Sequence, residues 1–130
     1  GQTISEAFLV ELPADLTIPG DGPLAGTVAR RPAPPRGCVQ RRLTRTEGHR
    51  FPGLAGPRHW LRASPDGRIG FLKRDDAGVV QFWTVTPDGE VTQVTRHPFP
   101  VASAFTWHPD GKRVAFVTDN SVCLANVSDG

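Results

Sequence analysis

The stretch HWLRASPDGRIGFLKRDDAGVVQFWTVTPDGEVTQVTR, residues 59–96, contains the pattern that decides the fold. Its first Pro-Asp-Gly triplet begins at Pro65, and the triplet returns 44 residues later, at Pro109, inside TWHPDGKRVAFVTDN (106–120). The hydrophobic runs that follow also match, IGFL at 69–72 with VAFV at 114–117, once one residue is allowed to slip. The chain therefore contains an internal repeat, and a period of this length is typical of architectures that stack one supersecondary unit.

The hydrophobic runs of one repeat have the composition of short β-strands. Each is rich in Val, Phe, Trp and Thr and is bounded by turn residues. In a Pro-Asp-Gly turn, proline presets φ at the second position and glycine supplies the positive φ that closes a tight hairpin. The triplet occurs once more, at Pro87, between the next two runs. We therefore predict a four-stranded antiparallel meander with strands at 58–63, 68–73, 79–86 and 91–95.

A single meander of this kind cannot bury both of its faces, whereas meanders stacked radially as the blades of a β-propeller can. The order SPDG…IGFL…D…VQFWTV…G…QVT resembles the TolB-like propeller repeat, which is related to the WD-type repeat. The segments PRHWLRASPDG, RDDAGVVQFWTV and AFTWHPDGKRVAFVTDNSVC further resemble the uncharacterised bacterial YidR-type group of TolB-like proteins. The resemblance covers about residues 37–127 and implies an all-β propeller, a fold that hosts many unrelated functions.

The register of the repeat divides the chain into three parts. Residues 1–57 supply the last two strands of one blade, separated by a long Pro/Gly-rich loop at 13–37, and the strand 7–13 is aligned with 81–87. Residues 58–96 form a complete blade, and 97–130 form the first three strands of another. This amounts to about two and a quarter blades, where closed propellers have roughly four to eight. We expect a fragment of a propeller, or a subunit that pairs its exposed edge strands with further copies.

Composition narrows the classes of partner. Net charge is +2, yet nine of the fifteen basic residues lie between Arg30 and Arg62, and all nine are arginine. This stretch is either ordinary solvated surface or a site for an anionic ligand; nucleic acid is disfavoured because no aromatic residues alternate with the arginines. No apolar run approaches the ~18 residues of a membrane span. Cys38 and Cys123 lack metal-ligand spacing, which favours two unpaired thiols. Unpaired thiols favour the bacterial cytoplasm as the compartment, whereas the TolB resemblance favours the periplasm.

Candidate site residues come from the loops that ring one end of the predicted blades. In propellers the loops that lead into the inner strands surround the mouth of the central channel, and the turns after the second strands lie on the same side. Asp and Asn in such turns either serve a ligand or simply bond the turn's own backbone. Phe99, in a loop between two prolines, is the aromatic residue most expected to face a ligand. The candidates are His49, Arg50, His59, Asp75, Asp76, His97, Phe99 and Asn120.

Two specific functions remain open on this pattern, beside a third possibility that the stretch serves only as scaffold and that other blades supply the ligand contacts. The first is a non-enzymatic TolB-like propeller that binds a protein or peptide partner at the loop face, since no catalytic constellation is present and no cofactor is indicated. The second is a metal-assisted lyase or hydrolase acting on acidic oligosaccharides, with His49, His59 and His97 as ligands, because neutral imidazole suits Mn²⁺ or Zn²⁺. These histidines share no ligand spacing, so the first function is the expectation and no metal site is assigned.

Overall fold

The computed structural model describes residues 3–56 and 60–127. This part of the chain contains nine β-strands and no helix, and the strand pairs of the two larger sheets are all antiparallel. The predicted all-β, antiparallel class is therefore confirmed. The chain divides into two compact units: a small unit, Phe8–Arg41, and a large unit, Gly1–Ala7 together with Arg42–Gly130.

The small unit contains one two-stranded sheet. Its strands are β1 (Phe8–Glu11) and β2 (Val39–Arg42). The segment between them has no further strand, only an isolated bridge between Pro19 and Pro35. Proline has no N–H to donate to a strand ladder, so a segment rich in proline and glycine adopts an irregular path.

The large unit begins with a four-stranded sheet, a meander in the order β3-β4-β5-β6. The strands are β3 (Arg62–Ala63), β4 (Ile69–Arg74), β5 (Val80–Val85) and β6 (Val91–Gln93). The Pro-Asp-Gly turns join β3 to β4 and β5 to β6. Gly67 and Gly89 close these turns with φ values of 89° and 94°, a region that side chains other than glycine rarely enter.

A three-stranded sheet follows, in the order β7-β8-β9. It consists of β7 (Thr106–Trp107), β8 (Arg113–Thr118) and β9 (Ser121–Asn126). Asp119 and Asn120 both have positive φ, 46° and 55°, which gives the tight two-residue hairpin between β8 and β9. β9 is an outer strand of its sheet and exposes Val122 and Leu124.

The core of the large unit lies between these two sheets. Register places Leu72 opposite Phe82, and this side of the four-stranded sheet is called its back face. Phe82 is fully buried and makes edge contacts with the rings of Phe105 and Trp107, at centroid distances of 4.7 and 5.7 Å. Burial of such a ring stabilises the fold by about 1.5–3 kcal/mol, and each ring pair adds about 0.5–1.5 kcal/mol. The buried members of this core are Leu72, Phe82, Val101, Phe105, Val114, Phe116 and Val127.

Hydrogen bonds correct the register predicted for the start of the chain. The Phe82 N–H donates to Thr95 Oγ1 at 2.9 Å, and the Ala7 N–H donates to Thr44 Oγ1 at the same distance. Ala7 therefore corresponds to Phe82 rather than to Gln81, and the predicted alignment was wrong by one residue. The cause is that AFLVEL is almost uniformly apolar, so two neighbouring registers match the repeat equally well.

Candidate functional site at the loop end

The predicted site loops of the large unit gather at one end of its sheets. We call this the loop end and define it as segments 46–52, 75–79, 96–101 and 119–120. Gln81 holds two of these segments together: its Nε2 donates to Asp75 Oδ2 at 3.2 Å and to the His97 carbonyl at 2.8 Å. Its Oε1 accepts from Thr95 Oγ1 and the His97 N–H. Gln81 is fully buried, so each polar atom of its amide is used.

The acidic turn after β4 has a structural role in part. Asp75 Oδ1 accepts the N–H groups of Ala77 and Val79 at 3.0 and 2.9 Å, which is the bonding expected of an Asp that closes its own turn. Asp76 is exposed, and its carbonyl accepts from Arg50 Nη1 at 3.4 Å. The Arg50 guanidinium also lies 5.4 Å from the centre of the Phe51 ring. Of this group, Arg50 and Asp76 are the side chains available to a partner.

The loop after β6 presents the predicted aromatic residue. Phe99 is 50% exposed, and its carbonyl accepts from Thr118 Oγ1 at 3.3 Å, so the ring faces outward from an anchored backbone. His97 is half-buried, and the centre of its ring lies 5.9 Å from the centre of the Phe116 ring in an edge-to-face arrangement. Asn120 is exposed in the positive-φ hairpin. Phe99 is thus the principal apolar contact that the loop end offers.

The histidines do not converge. His49 is exposed and its N–H donates to the Thr46 carbonyl at 2.9 Å. His59 lies outside the described residues. His108 lies in the turn between β7 and β8, where its Nδ1 is 2.9 Å from Asp110 Oδ2. Within 3–56 and 60–127, no group of three or more His, Cys, Asp or Glu side chains is arranged to hold a metal ion.

The arginine-rich stretch is partly neutralised. Within the small unit, Arg41 pairs with Glu11 at 2.6 Å. Within the large unit, Arg42 pairs with Glu6 at 3.0 Å and Glu47 at 2.7 Å. These pairs remove two of the nine arginines from the predicted anion site.

Sequence reasoning missed Glu6, which occupies the position of Gln81 in the first repeat. Its carboxylate accepts from Thr44 Oγ1, the Thr46 N–H and hydroxyl, and Arg42 Nη2. Burial raises the pKa of the Glu6 carboxyl, but the hydrogen bonds from Thr44, Thr46 and Arg42 outweigh it and hold the pKa below its usual value. The only sequence signal is a threonine two residues after the end of each partner strand, Thr44 after β2 and Thr95 after β6.

These features define a class: an all-β chain of small antiparallel sheets with one loop-rich end. No family model matches the chain, and no solved structure matches it. It is similar to an Escherichia coli (strain K12) protein named Uncharacterized protein YidR, with 48% identity over 136 residues. The similarity takes in 100% of this chain and 33% of YidR, so the chain spans about a third of that relative's length. Across the described ranges, no helix is long and apolar enough to cross a membrane.

Proposed function

We propose that the chain contributes blades to a TolB-like β-propeller that works without catalysis as a binding scaffold, and that the loop end receives a protein or peptide partner. Support for the propeller comes from the stacking within the large unit. The back face of the four-stranded sheet packs on the three-stranded sheet through Phe82, Phe105 and Phe116. Repeated antiparallel meanders that bury their faces against one another are what a propeller requires.

The observation that carries the binding role is the anchored loop end. Phe99 and Arg50 are exposed there, and aromatic and arginine side chains dominate the energetics of protein interfaces. The backbone that presents Phe99 is fixed by Gln81, which bonds the His97 carbonyl, and by Thr118, which bonds the Phe99 carbonyl. A pre-ordered loop loses little conformational entropy on binding, so more of the contact energy is expressed as affinity.

A random peptide library displayed on phage provides the test. Peptides selected on the wild-type chain should lose about tenfold or more in affinity for the double variant His97→Ala, Phe99→Ala, measured by calorimetry. The matched control, His108→Ala with Leu124→Ala, changes the same kinds of side chain outside the loop end and should bind like wild type. Equal affinity of both variants, or failure to select any peptide, would contradict the proposal. Circular dichroism checks that each variant is folded.

The alternative, a metal-assisted enzyme on acidic oligosaccharides, receives no support from a specific contact. Its ligand set needs His59, which lies outside the described residues, together with His49 and His97. His49 is bonded through its backbone to Thr46, while the His97 ring lies beside Phe116.

A further inference from the structure

A cavity of about 320 Å³ lies in the large unit, beside the face of the four-stranded sheet opposite the core. We call this the front face; it carries Phe71, Lys73 and Trp83, because Phe71 pairs with Trp83 and Lys73 is two residues further along β4. The segment 43–49 supplies the other wall, including Arg45 and His49. The volume falls at the small end of the range for ligand pockets, roughly 300–1,000 Å³.

Lys73 is an unusual residue to find in this wall. Only 2% of Lys73 is exposed, and lysine is almost never buried to this extent unless its charge is paired. Its Nζ donates to the Arg74 carbonyl at 2.8 Å and lies 4.8 Å from the centre of the Trp83 ring. Among the described residues, this is one hydrogen bond for a group that has three N–H donors. Two of its N–H donors therefore have no hydrogen-bond acceptor among the described residues.

The charge of the cavity favours an anion. Arg45 and Lys73 are cationic, and none of the described Asp or Glu side chains lines the cavity. Burial lowers the pKa of Lys73, while the charges of Asp76, Asp75 and Glu6 act in the opposite direction and favour the ammonium form. The remaining lining combines the apolar and aromatic side chains of Leu43, Phe71, Trp83 and Val91 with Thr44, Thr46 and Gly89.

The neighbouring sheet carries a different pair of residues at the equivalent positions. In the three-stranded sheet Phe116 pairs with Cys123, as Phe71 pairs with Trp83 in the four-stranded sheet. Thr118, two residues after Phe116, therefore stands where Lys73 stands. Thr118 fills that position by donating to loop carbonyls. The lysine and the tryptophan thus differ from their counterparts in the three-stranded sheet, and both line the cavity.

We infer that this cavity binds a small amphipathic carboxylate, with the carboxylate on Lys73 Nζ and the apolar part against Trp83 and Phe71. The inference does not rest on the proposed protein-binding role of the loop end, although Thr46 and His49 belong both to the loop end and to the cavity wall. A carboxylate completes the unused donors of Lys73 with charge-assisted hydrogen bonds, and an aromatic tail gains from burial against the two rings.

The chain has only two lysines, Lys73 and Lys112, which makes the test direct. Lysine labelled with carbon-13 at Cε gives one NMR signal for each. Titration with phenylpropanoate should shift the Lys73 signal to saturation and leave Lys112 unchanged. Phenylpropylamine, of the same shape and opposite charge, should not bind, and acetate should bind more weakly because it lacks the ring. An unmoved Lys73 signal, or equal binding of the amine, overturns the inference without any variant.

Substitution adds a second test, read by calorimetry. Lys73→Met keeps most of the apolar stem and removes the charge, so affinity for phenylpropanoate should fall about tenfold or more. Lys112→Met is the matched control and should bind like wild type. Wild-type affinity in a folded Lys73→Met variant refutes the assignment of the carboxylate to Lys73.

Discussion

Glu6 and Gln81 occupy the same position in two repeats, and exchanging them should harm both. All the groups that surround Glu6 are donors: Thr44, Thr46 and Arg42. Gln81 instead meets two donors at Oε1 and two acceptors, Asp75 Oδ2 and the His97 carbonyl, at Nε2. A carboxylate fits the first set and an amide the second, because a carboxylate only accepts whereas an amide does both.

The two exchanges differ in size. Gln81→Glu removes two donated hydrogen bonds, at about 0.5–1.5 kcal/mol each, and places a fully buried charge against two acceptors. Loss of the partner of a buried charge costs about 3–5 kcal/mol, so we expect about 4 kcal/mol of destabilisation near neutral pH. Glu6→Gln loses charge-assisted bonds but leaves no buried charge on its own side, so about 2 kcal/mol is expected.

The pH dependence gives the sharper readout. Glu at position 81 would have a folded-state pKa raised above its unfolded value of ~4.3. Its penalty is therefore complete above the folded pKa and shrinks as pH falls toward the unfolded pKa, because the protonated acid can again donate to the His97 carbonyl. Urea unfolding of Gln81→Glu, Glu6→Gln and the exposed control Gln40→Glu across this range measures it. A Gln81→Glu variant as stable as Gln40→Glu, or one whose deficit does not change with pH, refutes the reasoning.

Three further predictions follow from the same structure. Gly70→Ala should lower stability by about 1–3 kcal/mol in thermal unfolding, because the added methyl would lie 2.8–2.9 Å from two core rings, whereas Gly48→Ala has nothing within 4 Å. Hydrogen bonds from Arg68 and Ser64 are the chief reason that the pKa of Asp66 is lowered to about 2. The Asp66 carboxylate therefore stabilises the fold at pH values above its ordinary pKa of 3.8, and this contribution is lost as the pH falls toward 2. Asp66→Asn should therefore unfold more easily at neutral pH and match wild type near pH 2. Leu124, exposed on the outer strand β9, should promote association at high concentration, and light scattering should show that Leu124→Lys abolishes it.

Local turn chemistry made much of the fold predictable from sequence. Pro65-Asp66-Gly67 needs a positive φ at its glycine, and Gly67 has a φ of 89°. The predicted alignment of the strand at the start of the chain is one residue out because the apolar run lacks alternation. Its register is fixed by the hydrogen bonds from the Ala7 N–H to Thr44 Oγ1 and from the Leu43 N–H to the Ala7 carbonyl. The burial of Lys73 could not be predicted from the sequence, because a lysine after an apolar run is typical of a strand end. The cavity beside it is walled by segment 43–49, which is distant in sequence.

Equivalent positions in successive repeats separate what the fold requires from what it permits. The loop that follows the fourth strand needs a buried polar side chain to bond it, since otherwise the backbone groups of the loop would be buried without partners. Glu6 and Gln81 both meet that demand with side chains suited to their neighbours. No such demand explains Lys73 beside Trp83, because Thr118 and Cys123 fill the same places in the next sheet. Burial of a lysine removes its charge from water, which costs free energy unless the charge is paired. A buried lysine that the equivalent position of the next sheet does not share is best explained by a ligand, which is why the cavity, rather than the repeated turns, is where we expect the specific chemistry of this chain.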